Sequence, residues 1–180
     1  MKPWKGWYHI NGNTYGTWLR GDPRGWRARH HREHCDGDYK NPPPPGKYDA
    51  LYQQSKRLMK HNPVLLDRAA QELAGRALVE MLDMQNIPVI ALSLDKRHYH
   101  ILAKFPDNKV RPVIGRAKKH AYHVLRNQGH QGPVWGKRAR VLPVRNRQHQ
   151  VNVYHYIIDH QKRGSWVWTF KEGLHWTTKK

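Results

Sequence analysis

The chain has 180 residues, with 33 Lys plus Arg against 13 Asp plus Glu, and a net charge of +20 before its 14 His are counted. Its 8 Trp and 9 Tyr argue against wholesale disorder, and no apolar run approaches the ~18 residues that a membrane span needs. A pI near 10.4 points to a polyanionic partner; nucleic acid comes before an anionic membrane, because no basic amphipathic helix with a large apolar face is evident.

The opening Met1-Lys2-Pro3-Trp4 has no apolar stretch leading to a small-residue cleavage site, so no signal peptide is read there. A single cysteine, Cys35, allows no internal disulfide and fits a reducing compartment. Trp7 to Ile10 and Thr14 to Leu19 are rich in aromatic and β-branched residues, which predicts strands broken by a turn at Asn11-Gly12-Asn13. Residues 20–50 carry Gly21-Asp22-Pro23, a basic run from Arg27 to His34, and four prolines from Pro42 to Pro45. They read as a long surface insertion, partly extended as polyproline II. A short helix is expected over about Ala50 to Lys60.

Asp67 is a candidate N-cap for a helix whose apolar residues recur at three- and four-residue spacing: Ala70, Leu73, Ala74, Ala77, Leu78, Met81 and Leu82. Gln85-Asn86 ends it, and Pro88 prevents continuation. Val89 to Leu94 is a nearly unbroken apolar run of strand length, expected to be buried on both faces. Asp95-Lys96 makes a turn, and Arg97 to Lys104 reads as the returning strand of a hairpin. A helix over about Arg111 to Asn127 follows, with Pro112 in its first turn and Gly129 past its end. Its apolar stripe is read as Val113, Ala117, Ala121 and Val124. Arg140 to Val144 reads as a short strand, and about Arg147 to Lys162 as a last helix stopped by Gly164. Trp166 to Phe170 is aromatic enough to dock on the body or on a partner.

Three features carry chemistry. In Arg97-His98-Tyr99-His100, strand alternation sends His98 and His100 to one face and Tyr99, Ile101 and Ala103 to the other. Two imidazoles side by side on a strand suit a shared divalent metal. In a chain with 14 His, though, such a triplet also arises by chance. On the last helix Tyr156 and His160 lie four apart and project together, with Val153 one turn earlier, while Tyr154 and Ile158 look like core. The third feature is charge. From Asn108 to Ile158 there is no Asp or Glu, yet Lys or Arg recur, among them Arg116, Lys118, Lys119, Lys137, Arg138, Arg140 and Arg145. These are candidate contacts to a phosphate backbone. Trp135 is a candidate surface for base stacking.

Together these residues resemble the single-tyrosine HUH transposases, in particular the REP-associated tyrosine transposases and related small insertion-sequence transposases. The likeness rests on Trp7-Tyr8-His9-Ile10, on His98-Tyr99-His100 followed by Ile101-Leu102, on Gly132-Pro133-Val134-Trp135, and on Tyr156-Ile157. It implies an α+β fold, a central antiparallel sheet flanked by helices and related to the ferredoxin-like arrangement. It implies one such domain over residues 1–164, with the basic Pro-rich insertion at 20–50 and an aromatic, basic tail at 165–180. It also implies a cytoplasmic, nucleoid-associated enzyme acting on single-stranded or hairpin DNA, as monomer or homodimer. In such an enzyme Mg²⁺ or Mn²⁺ sits on His98, His100 and a polar residue of the tyrosine helix. Tyr156 attacks the scissile phosphate, giving a 5′-phosphotyrosine and a free 3′-OH. In insertion-sequence members the residue four after the Tyr is commonly Gln; here it is His160, followed by Gln161. REP-associated members often have Asn before the first histidine, where this chain has Arg97.

Two other readings stand beside this one. A non-catalytic nucleic-acid binder on the same fold needs only the basic surface, and a zinc-dependent nuclease would use water in place of the tyrosine. A second metal cluster is conceivable at His30, His34 and Cys35, within a stretch otherwise read as a basic contact loop. His120 and His123 read as surface or DNA-facing residues.

Overall fold

The computed structural model describes residues 2–26, 34–37 and 41–171. The chain divides into two compact units, Met1–Thr14 with Val64–Lys180, and Tyr15–Pro63.

The first unit is built on a sheet of strands β1 (Trp7–Asn13), β2 (Val89–Leu94), β3 (His98–Lys104), β4 (Arg140–Pro143) and β5 (Trp166–Thr169). All pairings are antiparallel, and the order is β4-β1-β3-β2-β5. Helix α1 (Asp49–Arg57) lies in the other unit; α2 (Arg68–Met84) and α3 (Val110–Asn127) join β1 to β2 and β3 to β4. The first four strands therefore follow the ferredoxin-like βαββαβ path, as expected. The aromatic segment after Gly164 docks on the body as β5, paired to β2. Helix α4 (Arg147–Ile158) continues as a 3₁₀ turn, Asp159–Arg163, and ends at Gly164 with φ 82°. Among the described residues no helix is long and apolar enough to cross a membrane.

Period-two alternation divides the sheet between two cores. Ile10, Leu92, Leu94, Tyr99 and Ile101 face α2 and α3, where Leu78, Leu82, Ile114 and Ala121 meet them. Ala91 and Leu102 face the opposite way and pack with Val144, Val153 and Ile157 under α4. Asp67 starts α2 as read from the sequence: its carboxylate accepts the Ala70 N–H at 2.8 Å. Asp67→Ala should lower stability by about 1 kcal/mol, seen as an earlier denaturation midpoint at unchanged slope. An unchanged midpoint would remove the cap from the account.

Several sequence expectations need correction. Asn11-Gly12-Asn13 is not a turn; β1 runs through it and pairs with Tyr99 to His100 and on to His98. The glycine serves a close approach instead, because a Cβ at Gly12 would lie 2.6 Å from the Tyr99 hydroxyl oxygen. Thr14 forms only an isolated bridge, to Trp135, and residues 15–19 are in no strand. The buried face of α3 is Val110, Ile114, Ala117, Ala121 and Leu125; Val113 and Val124 flank it, half-buried. On α4 the buried apolar residues are Val153 and Ile157, while Tyr154 and Ile158 are only partly covered. The expected last helix also tightens into a 3₁₀ turn before Lys162.

In the unit Tyr15–Pro63, the buried Asp22 carboxylate accepts two bonds from the Arg24 guanidinium, at 2.8 and 2.7 Å. Trp26 meets Tyr48 edge-on at 5.3 Å. Helix α1 falls within a residue of its expected start and three of its end. Of the conceivable zinc cluster, His30 lies outside the described residues. The buried Cys35 thiol accepts the Trp26 N–H and donates to the Gly37 carbonyl.

Candidate functional site

The face of the sheet under α4 is apolar at one end and polar at the other. β3 presents Leu102, His100 and His98 to it in turn, and β1 presents His9, Asn11 and Asn13 beside them. Burial of Val153 and Ile157 against Ala91, Leu102 and Val144 fixes the rotation of α4. That rotation carries the end of α4 and the following turn, with Tyr156 and His160, over the histidines.

One potential ligand atom from each of His98, His100 and His160 lies within 4.8 Å of the other two. The ring centroids are 5.0 Å apart for His98–His100, 5.7 Å for His98–His160 and 4.9 Å for His100–His160. The Tyr156 ring stands edge-on to His160 at 4.7 Å and to His100 at 5.2 Å. Tyr156 is 46% exposed, whereas His100 and His160 are buried.

Each imidazole is held through the same nitrogen. His98 Nδ1 is 2.7 Å from the Asp95 carboxylate. His160 Nδ1 is 2.7 Å from the Tyr156 carbonyl oxygen, which only a protonated Nδ1 can satisfy. His100 Nδ1 is 2.9 Å from His9 Nε2. With Nδ1 engaged in all three, Nε2 is the nitrogen left to bind, and outer partners of this kind usually fix the tautomer of metal-ligating histidines.

The electrostatics agree. Burial, then the neighbouring imidazoles His9, His98 and His160, push the His100 pKa down to about 2. Burial, then His149 and Arg140, lower that of His9 to about 4. Burial likewise lowers His160, partly offset by its bond to the Tyr156 carbonyl. Burial alone would raise Asp95, but its bonds to the His98 ring and to the Arg97 and His98 amides hold it below the usual carboxylate range. His9 and His100 are therefore neutral at pH 7, as metal ligation requires of His100. His100 Nε2 supplies the test of fit: it is buried and has no hydrogen-bond partner, which a bound cation would provide. The donor set is imidazole nitrogen throughout, so of Mg²⁺ and Mn²⁺ it suits Mn²⁺ better.

Because the folded His9 and His100 bind protons less readily than the unfolded chain, stability is complete above pH 6.5 and is lost as pH falls toward 4. The melting temperature of chelator-treated protein should drop between pH 7 and pH 5. A flat profile over that interval would contradict a buried, neutral His9 and His100.

The other sequence candidates fall on different surfaces. Arg140 lies on β4 opposite Asn11, on the histidine face; Lys137 and Arg138 precede it, exposed. The exposed Arg145 joins β4 to α4, and its amide donates to His149 Nδ1. Arg116, Lys118 and Lys119 are on α3, across the sheet from the histidines. Lys118 donates to the Gly136 carbonyl at 2.7 Å. Trp135 is half-buried, gives its indole N–H to the Lys118 carbonyl and sets its ring against Tyr99, so it packs within the α3 face. His120 is 3.1 Å from Glu80, linking α3 to α2. Two residues of the cluster were not singled out in the sequence, His9 and Asp95. The available signal for His9 was the alternation of apolar Tyr8 and Ile10 with polar His9 and Asn11.

No family model matches the chain, and no curated protein matches it. Among solved structures, a REP-associated tyrosine transposase bound to a REP hairpin superposes with a TM-score of 0.50 at 14% identity. The match covers 91% of this chain and 72% of that one. The likeness at that identity is one of fold.

Proposed function

We propose that the protein is a metal-dependent single-stranded DNA endonuclease and strand transferase, a transposase-type enzyme with Tyr156 as nucleophile. The observation that carries this reading is the convergence of a half-exposed phenol on three oriented imidazoles. The fold shared with a transposase solved on hairpin DNA supports a hairpin-bearing partner, and the net charge of +20 suits a phosphate backbone.

His98, His100 and His160 would hold the ion, with Asp95, His9 and the Tyr156 carbonyl fixing their rings. When bound, the ion polarises the phosphate and stabilises charge that develops in the transition state. The Tyr156 oxygen then forms a bond to phosphorus and loses its proton. The bond from phosphorus to the 3′ oxygen breaks, and that oxygen takes up a proton. The products are a 5′-phosphotyrosine and a free 3′-OH. The ester conserves the bond energy, so the reverse attack by a 3′-OH rejoins strands without a nucleotide cofactor.

The deciding experiment incubates the protein with end-labelled single-stranded hairpin DNA. A denaturation-resistant protein–DNA adduct should form with Mn²⁺ and disappear with chelator. The all-nitrogen donor set also favours a second reading, an ion that activates water. Under that reading the same assay gives cleaved DNA over many turnovers and no adduct.

A further inference from the structure

On the histidine face, α4 packs mostly over β2, β3 and β5 and meets β1 where the Tyr156 ring stands edge-on to His9 at 6.0 Å. The rest of that face of β1, with β4, presents a polar row. Asn11 is the cross-strand partner of His100 on one side and of Arg140 on the other, and Asn13 is the partner of His98. Asn11 and Asn13 are half-buried and Arg140 is exposed. Among the described residues, the side chains of these three make no hydrogen bond or ion pair. The row therefore starts at the candidate metal ligands and runs out to the sheet edge. That edge is positive: Lys137, Arg138, Arg145 and Arg147 flank β4, and no carboxylate occurs between Asp107 and Asp159.

We propose that the row Arg140–Asn11–His100 is the track on which a single nucleic-acid strand lies as its scissile phosphate enters the site. Arg140 holds a backbone phosphate, and Asn11 and Asn13 read the edge of an unpaired base. The occupant follows from the chemistry present. A guanidinium matches phosphate, and a carboxamide offers a donor and an acceptor together, the pair that base edges require. The row crosses two strand spacings, ~10 Å, which suits one nucleotide chain rather than a duplex. The proposal deepens the reading of the site given above and rests on it for the position of the scissile phosphate. It separates the basic residues by role, because the α3 charges lie on the other face.

Binding of fluorescent 12-nucleotide single strands of differing sequence, followed by anisotropy in chelator over a range of salt, tests the track without requiring catalysis. Arg140→Ala should weaken binding by one factor for every sequence and reduce the salt slope by about 0.7, the share of a single phosphate contact. Arg140→Lys should restore the slope. Asn11→Ala should keep the slope and compress the ratio between best- and worst-bound sequences by about five-fold or more. Arg76→Ala, on α2, removes the same charge outside the row and controls for net charge. The proposal is overturned if Arg140→Ala matches Arg76→Ala, if Asn11→Ala leaves the sequence ranking intact, or if a duplex binds as well as the single strand. Melting temperatures confirm that each variant is folded. Loss of the adduct in wild type with a normal track would sink the transposase reading alone. A normal adduct with a silent Arg140→Ala would sink the track alone.

Discussion

Tyr156→Phe should abolish the covalent protein–DNA adduct and lower strand cleavage by at least about 10⁴-fold, the scale seen when a covalent nucleophile is removed. The substitution deletes one oxygen from a ring that is 46% exposed, so it creates no core cavity. It also spares the metal ligands, because His160 Nδ1 bonds the backbone carbonyl of residue 156 and not its side chain. Melting temperature and Mn²⁺ affinity should therefore match wild type, which separates chemistry from structure. Tyr154→Phe is the natural control. Its ring packs beside the apolar cluster under α4 and stands edge-on to His155 at 5.6 Å. Adduct formation should survive there. The opposite result, activity in Tyr156→Phe and none in Tyr154→Phe, would overturn the assignment of the nucleophile. Cleavage that persists in both variants without an adduct would identify water as the attacking group.

The parts of this molecule that were legible beforehand share one property: the signal and its cause lie close together in the chain. Helix α2 showed itself through three- and four-residue spacing behind the Asp67 cap. β2 showed itself as an unbroken apolar run, and the histidine pair on β3 through alternation. Tyr156 and His160 followed from a single helical turn. The misread parts depend on partners distant in sequence. Asn11-Gly12-Asn13 carries strong local turn chemistry, yet Gly12 is there because the Tyr99 ring lies across it, 87 positions later in the chain. His9 carried no weight on its own, because the ring that makes it significant is 91 residues away. The acid-free stretch was visible as composition, but a run of charge in one dimension does not say which side of a sheet each residue occupies. α3 and β4 carry their charges on different surfaces for that reason.

The position of His9 leads to the second large effect. His9→Phe should weaken Mn²⁺ binding by about 10–100-fold, the usual consequence of removing an outer hydrogen-bond partner from a ligating histidine. His100 is buried, and its Nε2 is useful as a ligand only if the ring proton sits on Nδ1. With the proton there, the acceptor it meets is His9 Nε2, 2.9 Å away. Burial keeps His9 neutral at pH 7, so it can accept. A phenyl ring fills similar space but accepts nothing. The Nδ1–H is then buried without a partner, at a cost of about 1–3 kcal/mol, and the alternative tautomer, with its proton on Nε2, becomes competitive. His9→Gln keeps an acceptor oxygen and should recover part of the affinity. Calorimetric titration of chelator-stripped protein with Mn²⁺ reads this directly and needs no DNA. A merely structural role for His9 would depress the melting temperature equally in both variants and leave their affinities alike. Wild-type affinity in His9→Phe would show that His100 is oriented by something other than its neighbour on β1.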